Sequence, residues 1–366
     1  MENFILKNEE RAVFALRSLY RQYGYLPYKM SKFEEYDLYV RNKDFLVIDS
    51  VITFNDINGR LLALKPDVTL SIIKNSVTDN SYKQKLYYNE NVYRISESTH
   101  QYKEIMQTGI ECIGDIDIND IFEVLYLAAK SLNAVSSEFV LDISHMGVFS
   151  SIINSVSEDN VFKKTVAKLI SQKNKHETCE LCKKYSIPAE DASLLLNFID
   201  LYGDSESIIP KLKAMIKTEE GMRAYKELEA LCSLLSKTEF KDKIKLDFSV
   251  VNDMNYYNGI VFKGFLYGIS EGVLSGGEYG KLVKRVGKDS NAIGFAIYLD
   301  LLEALENDNN DYDVDVLLVY DRKCEAETLL RVKNEIIANG ESVSCQCNIP
   351  EKLRYKKLLK LSEDSK

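Results

Sequence analysis

KLYYNENVYRISESTHQYKEIMQTGIECIG, residues Lys85 to Gly114, is the stretch whose reading decides the fold. It divides into two strands joined by a polar loop. The first, around Leu86 to Ile95, is rich in Tyr and Val, and the second, Ile105 to Ile113, alternates its faces as a pleated strand must. Ile105, Gln107, Gly109, Glu111 and Ile113 share one face, while Met106, Ile110 and Cys112 take the other. Apolar residues on both faces imply burial on both sides. An amide and a carboxylate flanking a bare glycine inside such a row predict a pocket floor, because glycine lets a group approach the backbone and Gln and Glu can orient it. A solvated face, as on many antiparallel sheets, is the competing reading of the same row.

A chain of 366 residues predicts about two or three domains. Its 45% apolar content marks an ordinary globular protein, and a net charge of -9 argues against a general nucleic-acid binder, whose affinity rests on Lys and Arg. No apolar run approaches a membrane span, and MENFILKNEERA lacks a signal peptide's pattern, so the expected address is the cytoplasm. Seven cysteines, an odd number in so long a chain, are expected to be reduced thiols. Cys179 and Cys182 form a CELC motif, but no second pair with metal spacing follows, and KHETCELCKKYSI has the spacing of an amphipathic helix. Cys345 and Cys347, two apart on one strand face, carry no more weight. No metal and no cofactor are expected.

Taken in order, the chain opens with a helix from Glu9 to Tyr23, with Asn8 as its cap and Gly24 as its stop. Phe45 to Phe54 and Leu61 to Leu64 predict a hairpin about the turn Asn55 to Gly59, and LLALKPDVTLSIIKN places Pro66 and Asp67 at the first turn of a short helix. Asp67 and Thr69 thus sit where a strand hands over to a helix, a place for ligand contacts or for simple capping. A helix from about Asn119 to Ser131, a strand at Phe139 to Ile143 and a helix from Met146 follow. From about 157 to 241 strand signals vanish and helical spacing takes over, predicting an inserted helical module. Strand patterning returns at Ile244 to Val251 and through GIVFKGFLYGI, then SGGEYG predicts a turn and AIGFAIYLDLLEAL a helix. Residues 1–306 therefore form one antiparallel α+β domain, 307–315 an acidic linker, and 316–366 the βαβ-like start of a small α/β segment.

These residues resemble the class II aminoacyl-tRNA synthetase fold in its histidyl branch: an antiparallel sheet flanked by helices, with an insertion in the corresponding place. Arg94 in VYRI matches the arginine of the second signature motif, and LKPDVT, QTGIE and MNYYNGIVF match the segments of the histidine pocket. The resemblance implies that Asp67, Thr69 and Gln107 hold the ligand's α-amino group, that Arg94 lies near its carboxylate, and that Glu111 and Tyr257 read the imidazole. The chemistry of that pair stands without the family, since an imidazole offers one donor and one acceptor, and a carboxylate and a phenol satisfy both. Glu111, if buried, requires a donor from ligand or protein. Tyr256 is expected on the opposite face, in the core. The resemblance also implies a dimer through the region after the first helix, where Tyr36, Leu38 and Val40 alternate as a strand would.

The departures matter as much. Asn252 stands where the synthetases carry a catalytic arginine, Leu301 where an arginine stacks on adenine, Glu278 where the glycine-glycine-arginine-tyrosine segment has its arginine, and Ser31 in place of the first motif's proline. Amino-acid activation needs cationic groups on phosphates and developing charge. A histidine pocket without that chemistry, joined to only the first half of an anticodon-binding-like segment, is similar to the regulatory subunits of ATP phosphoribosyltransferase. That likeness implies no catalytic residues, a short-form catalytic subunit as partner, a homodimer within a hetero-oligomer, and L-histidine as feedback ligand. A divergent histidyl-tRNA synthetase and a synthetase-like amino-acid sensor of another pathway are the alternatives.

Overall fold

The computed structural model describes residues 8–42, 51–76, 82–95, 100–250, 256–305 and 312–361. It divides into two compact units, one spanning Asn8–Leu305 and the other built on the residues from Glu306 onward.

Among the described residues, the larger unit is organised on a nine-stranded sheet. Its order across the sheet is Leu26–Pro27, Gln84–Ile95, Tyr102–Gly114, Asn291–Tyr298, Leu274–Glu278, Ile260–Leu266, Phe139–His145, Ile244–Asp247 and Tyr202–Gly203. The central pairings are antiparallel, as expected, but Leu26–Pro27 joins Gln84–Ile95 in parallel, and Phe139–His145 joins Ile244–Asp247 in parallel. The opening stretch supplies the long hairpin, and period-2 burial separates its faces. Ile110 and Cys112 enter the main core, whereas Ile113, Tyr88 and Val92 enter a second core on the opposite side. The helix Ile118–Val135 covers the main-core face, packing Ala128 together with Val124, Leu125 and Leu132, the last three each worth about 1.5–3 kcal/mol for a large side chain removed from water. Asp117 and Asp120 start it with a reciprocal capping box.

Five helices, Asn160–Ser171, Lys175–Lys184, Ala189–Ile199, Ser205–Met215 and Glu219–Leu235, fill the stretch expected to be helical, with Tyr202–Gly203 as a short strand among them. The CELC motif lies on the second of these, where Cys182 is buried among apolar neighbours. No group of three or more metal-ligating side chains occurs among the described residues. No helix among them is long and apolar enough to cross a membrane.

Three local expectations fail. Tyr36–Arg41 is a helix rather than a strand, burying Tyr39 and leaving Val40 exposed. Five alternating residues do not outweigh an i,i+4 Asp37–Arg41 pair and the Asn42 side chain donating to Leu38 O at 2.8 Å. SGGEYG does not turn the chain: Leu274–Glu278 is a central strand, because Gly276 and Gly277 give room to Phe295 and to Tyr257. Asn291–Tyr298, expected as helix, is a strand that puts Ala292, Gly294 and Ala296 on one face and Ile293, Phe295 and Ile297 on the other, with a 3-10 turn Leu299–Leu305 after it. Of the Phe45 to Phe54 run, residues 45–50 lie outside the described residues, and Thr53–Asn55 pairs with Leu61–Leu64 as a hairpin.

In the smaller unit, Val314–Tyr320 is the central strand, parallel to both Val343–Gln346 and Tyr355–Leu361. The helix Ala326–Ala338 packs Leu329, Val332 and Ile336 toward Val316 and Leu318.

Candidate ligand pocket

Register builds the pocket floor. Glu111 is paired with Gly294, and Gly294 with Gly277, so one line across three strands carries a carboxylate beside two bare backbones. Each glycine makes way for a particular side chain. A methyl group on Gly294 would lie 1.8 Å from Glu111 Oε2, and one on Gly277 would lie 2.7 Å from the Tyr257 ring. Gly109, read from the sequence as the point of close approach, is covered by the protein itself: a methyl there would lie 2.6 Å from the Tyr88 hydroxyl.

Glu111 is 1% exposed. Its Oε1 accepts from the Thr69 hydroxyl at 2.7 Å and its Oε2 from the Tyr279 hydroxyl. Burial pushes its pKa up to about 8 against the pull of these donors, with the neighbouring Asp67 charge adding to the rise. The donors required for a buried carboxylate are thus supplied by the protein, and two of its four lone-pair sites remain for a ligand.

Thr69 is the first residue of the short helix Thr69–Asn75. Asp67, one residue before the cap position Val68, accepts the Leu70 N–H at 2.7 Å and so satisfies one free N–H of the first turn. Burial raises the Asp67 pKa, while the Leu70 N–H and the Arg94 guanidinium pull it back. Arg94 Nε donates to Pro66 O at 2.7 Å, which aims the guanidinium along the strand-to-helix junction. Gln107 is 4% exposed, is flanked in register by Glu90 and Tyr298, and shares the face of Glu111. The structure therefore brings Asp67, Thr69, Arg94, Glu111 and Tyr257 into one electrostatic neighbourhood, with Gln107 on the same sheet face.

Tyr257 is half-buried and its hydroxyl engages Ser275. Tyr256 packs against the second core but also faces the pocket. It is half-buried, engages Thr69, and stands edge-on to Tyr257 at 4.7 Å and near Tyr279 at 6.0 Å. Strand alternation does not apply to it, because it precedes the strand that begins at Ile260. Tyr88, Tyr279 and Tyr298 complete a ring of phenols that feel the Glu111 or Asp67 charge. Tyr279 was hidden by the reading of SGGEYG as a turn. Tyr298 was hidden by the helix expected at AIGFAIY.

Lys65, fully buried, pairs with Glu90 at 2.8 Å beside this ring, an ion pair no motif announced. Glu278, between Gly277 and Tyr279, turns to the other side of its strand and accepts the Ile260 N–H at 2.6 Å. Leu301 is half-buried against the main core. Asn252 lies outside the described residues. Two carboxylates and the Arg94 guanidinium amid phenols make a cradle for a small zwitterion with a cationic or hydrogen-bond-donating side chain.

The histidyl-tRNA synthetase family model matches residues 5–302. An ATP phosphoribosyltransferase regulatory subunit of Caldanaerobacter subterraneus subsp. tengcongensis is 33% identical over 289 residues, covering 78% of this chain and 75% of that protein. The chain belongs to the histidyl-tRNA synthetase-like family of ATP phosphoribosyltransferase regulatory subunits. A second member of that family, from Oceanobacillus iheyensis, is 27% identical over 371 residues, covering 100% of this chain and 90% of its own. A crystal structure described as an ATP phosphoribosyltransferase regulatory subunit/histidyl-tRNA synthetase from Bacillus halodurans superposes with a TM-score of 0.79 at 25% identity, covering 96% of this chain and 93% of that one. The class II synthetase-like α+β fold read from the sequence is the fold of this family.

Proposed function

We propose that this chain is a non-catalytic regulatory subunit of ATP phosphoribosyltransferase in histidine biosynthesis. It is required by a short-form catalytic subunit and conveys feedback through L-histidine bound over Glu111. The observation that carries this reading is the Glu111 carboxylate, buried on a glycine floor between Thr69 and Tyr279 and beneath Tyr257. In it, Glu111 and Tyr257 take the two imidazole nitrogens, Asp67, Thr69 and Gln107 take the amino group, and Arg94 faces the carboxylate. Synthetase activity is absent in this reading because Asn252 stands where the synthetases carry a catalytic arginine, Leu301 where an arginine would stack on adenine, and Glu278 where their glycine-rich segment has its arginine.

Two copies associate in the assembly. Support comes from the small sheet of Phe33–Glu35, Leu61–Leu64 and Thr53–Asn55, where Phe33 and Phe54 are exposed with rings 5.5 Å apart. Mixing the full chain with a short-form catalytic subunit tests the whole reading. Phosphoribosyltransferase activity should appear on mixing and fall with histidine. No gain over the catalytic subunit alone would reject it.

A further inference from the structure

Far from the tyrosine ring, Phe139–His145 and Ile244–Asp247 run parallel with Asp142 beside Lys245 and Ile143 beside Leu246. Asp247 follows Leu246 at the end of its strand and its charge is felt by Asp142, and the pleat turns Asp142 and Ser144 to the same face. Asp142 is 7% exposed, its Oδ1 is sealed from solvent without a hydrogen-bond partner, and Ser144, 0% exposed, has an equally unpartnered hydroxyl. Two such groups on one face are costly unless something fills the bonds between them.

The charges around them do not balance. Asp247 Oδ1 accepts from the Ser249 N–H at 2.8 Å and hydroxyl at 2.6 Å, and its Oδ2 accepts from Lys173 at 2.7 Å. Lys245 is turned to Asp204 at 2.5 Å. Lys263, the antiparallel partner of Asp142, carries its ammonium over the Phe265 ring at 5.5 Å. Tyr202 lies under the Lys173 ammonium, 4.8 Å from ring centre. Among these groups one ammonium, Lys173, faces two carboxylates, which leaves a single negative charge in a buried place.

We propose that Asp142, Ser144 and Asp247 form a binding site for a small monovalent cation at the root of the helical insertion. The donors are all oxygen, which suits a hard cation or an ammonium ion, and the surplus of one charge selects a monovalent ion over a divalent one. A water molecule would satisfy the Ser144 hydroxyl but not the carboxylate charge. Burial, then the Asp247 charge, pushes the Asp142 pKa up to about 7, opposed by Lys173 and Lys245. A proton therefore competes with the cation, and occupancy rises with pH. Lys173 lies in the turn between the first two inserted helices and Asp247 on the strand that resumes the sheet after them, so the site sits where the insertion meets the sheet.

The test is thermal unfolding of the full chain at fixed ionic strength, with choline chloride exchanged for sodium, potassium or ammonium chloride, which separates the alkali ions from ammonium. Tm should rise saturably with at least one of them, and more above neutral pH than below it, because binding to the native state alone stabilises it. Asp142→Asn should abolish the rise, and Ser144→Ala should weaken the apparent affinity by about tenfold, the loss of one oxygen ligand to a charged centre. The same Tm in choline and in every small cation overturns the site, as does full cation dependence in Asp142→Asn. Should that variant not fold, unchanged dependence in Ser144→Ala overturns it equally.

Discussion

The hydroxyl of Tyr279 donates to Oε2 of Glu111 across 168 positions of sequence. Thr69 donates to the other oxygen at 2.7 Å. Three distant segments therefore converge on one carboxylate, and each can be tested separately.

Tyr279→Phe removes a donor and leaves Glu111 buried with Thr69 alone. Leaving such a group half-satisfied costs about 1–3 kcal/mol. Urea unfolding near neutral pH should show that loss, and histidine affinity should change with it, because the carboxylate is no longer held toward the Tyr257 side.

Gly294→Ala adds one methyl where none fits. It would lie 1.8 Å from Glu111 Oε2 and 2.4 Å from the Ile110 carbonyl oxygen, and the backbone contact cannot be relieved by turning a side chain. The expected cost is about 1–3 kcal/mol of stability. Denaturation measures it. A matching Ala at exposed Gly59, which has open space around it but a φ of +80°, gives the backbone-strain control.

The pH dependence of stability follows from Glu111 with a definite sign. Its folded pKa of about 8 lies above the ordinary carboxylate value of 4.5, so the folded state holds a proton that the unfolded state has released. This group's contribution is full below the unfolded value, declines as pH rises between the two values, and is gone above about 8. Glu111→Gln should remove that slope, and melting curves of both proteins across the window check it.

Much of the fold was legible because its strands alternate cleanly. Ile105 to Ile113 displayed two apolar faces, and the structure buries both, against different cores. Gly276 and Gly277 misled for one physical reason. A glycine signals a turn or weak strand in isolation, and the bulky partner it accommodates, Phe295 or Tyr257, comes from another segment of the chain. The same tertiary origin hid Tyr279, Tyr298 and the Lys65–Glu90 pair. The pocket contact of Tyr256 was missed because a two-residue alternation was extended to a segment before its strand begins.

The absence of activation chemistry is a prediction of its own. Losing one charged contact to a transition state commonly costs ~3 kcal/mol, or ~10²-fold in rate, although such losses are often non-additive. With Leu301 and Glu278 in place of arginines, pyrophosphate exchange with histidine and ATP should stay at background. Exchange at rates typical of a synthetase would overturn the non-catalytic assignment.

Titration calorimetry of L-histidine into the wild-type chain and into Glu111→Gln tests the central claim most directly. Glutamine keeps the shape while removing one acceptor oxygen and the ability to ionise against a bound imidazole, so histidine should bind the wild type and lose about 1–3 kcal/mol of affinity in the variant. Amino acids without a ring donor should bind the wild type far less well, because they leave the Glu111 site unpaired. Equal histidine affinity in the two proteins would contradict the account and place the ligand elsewhere.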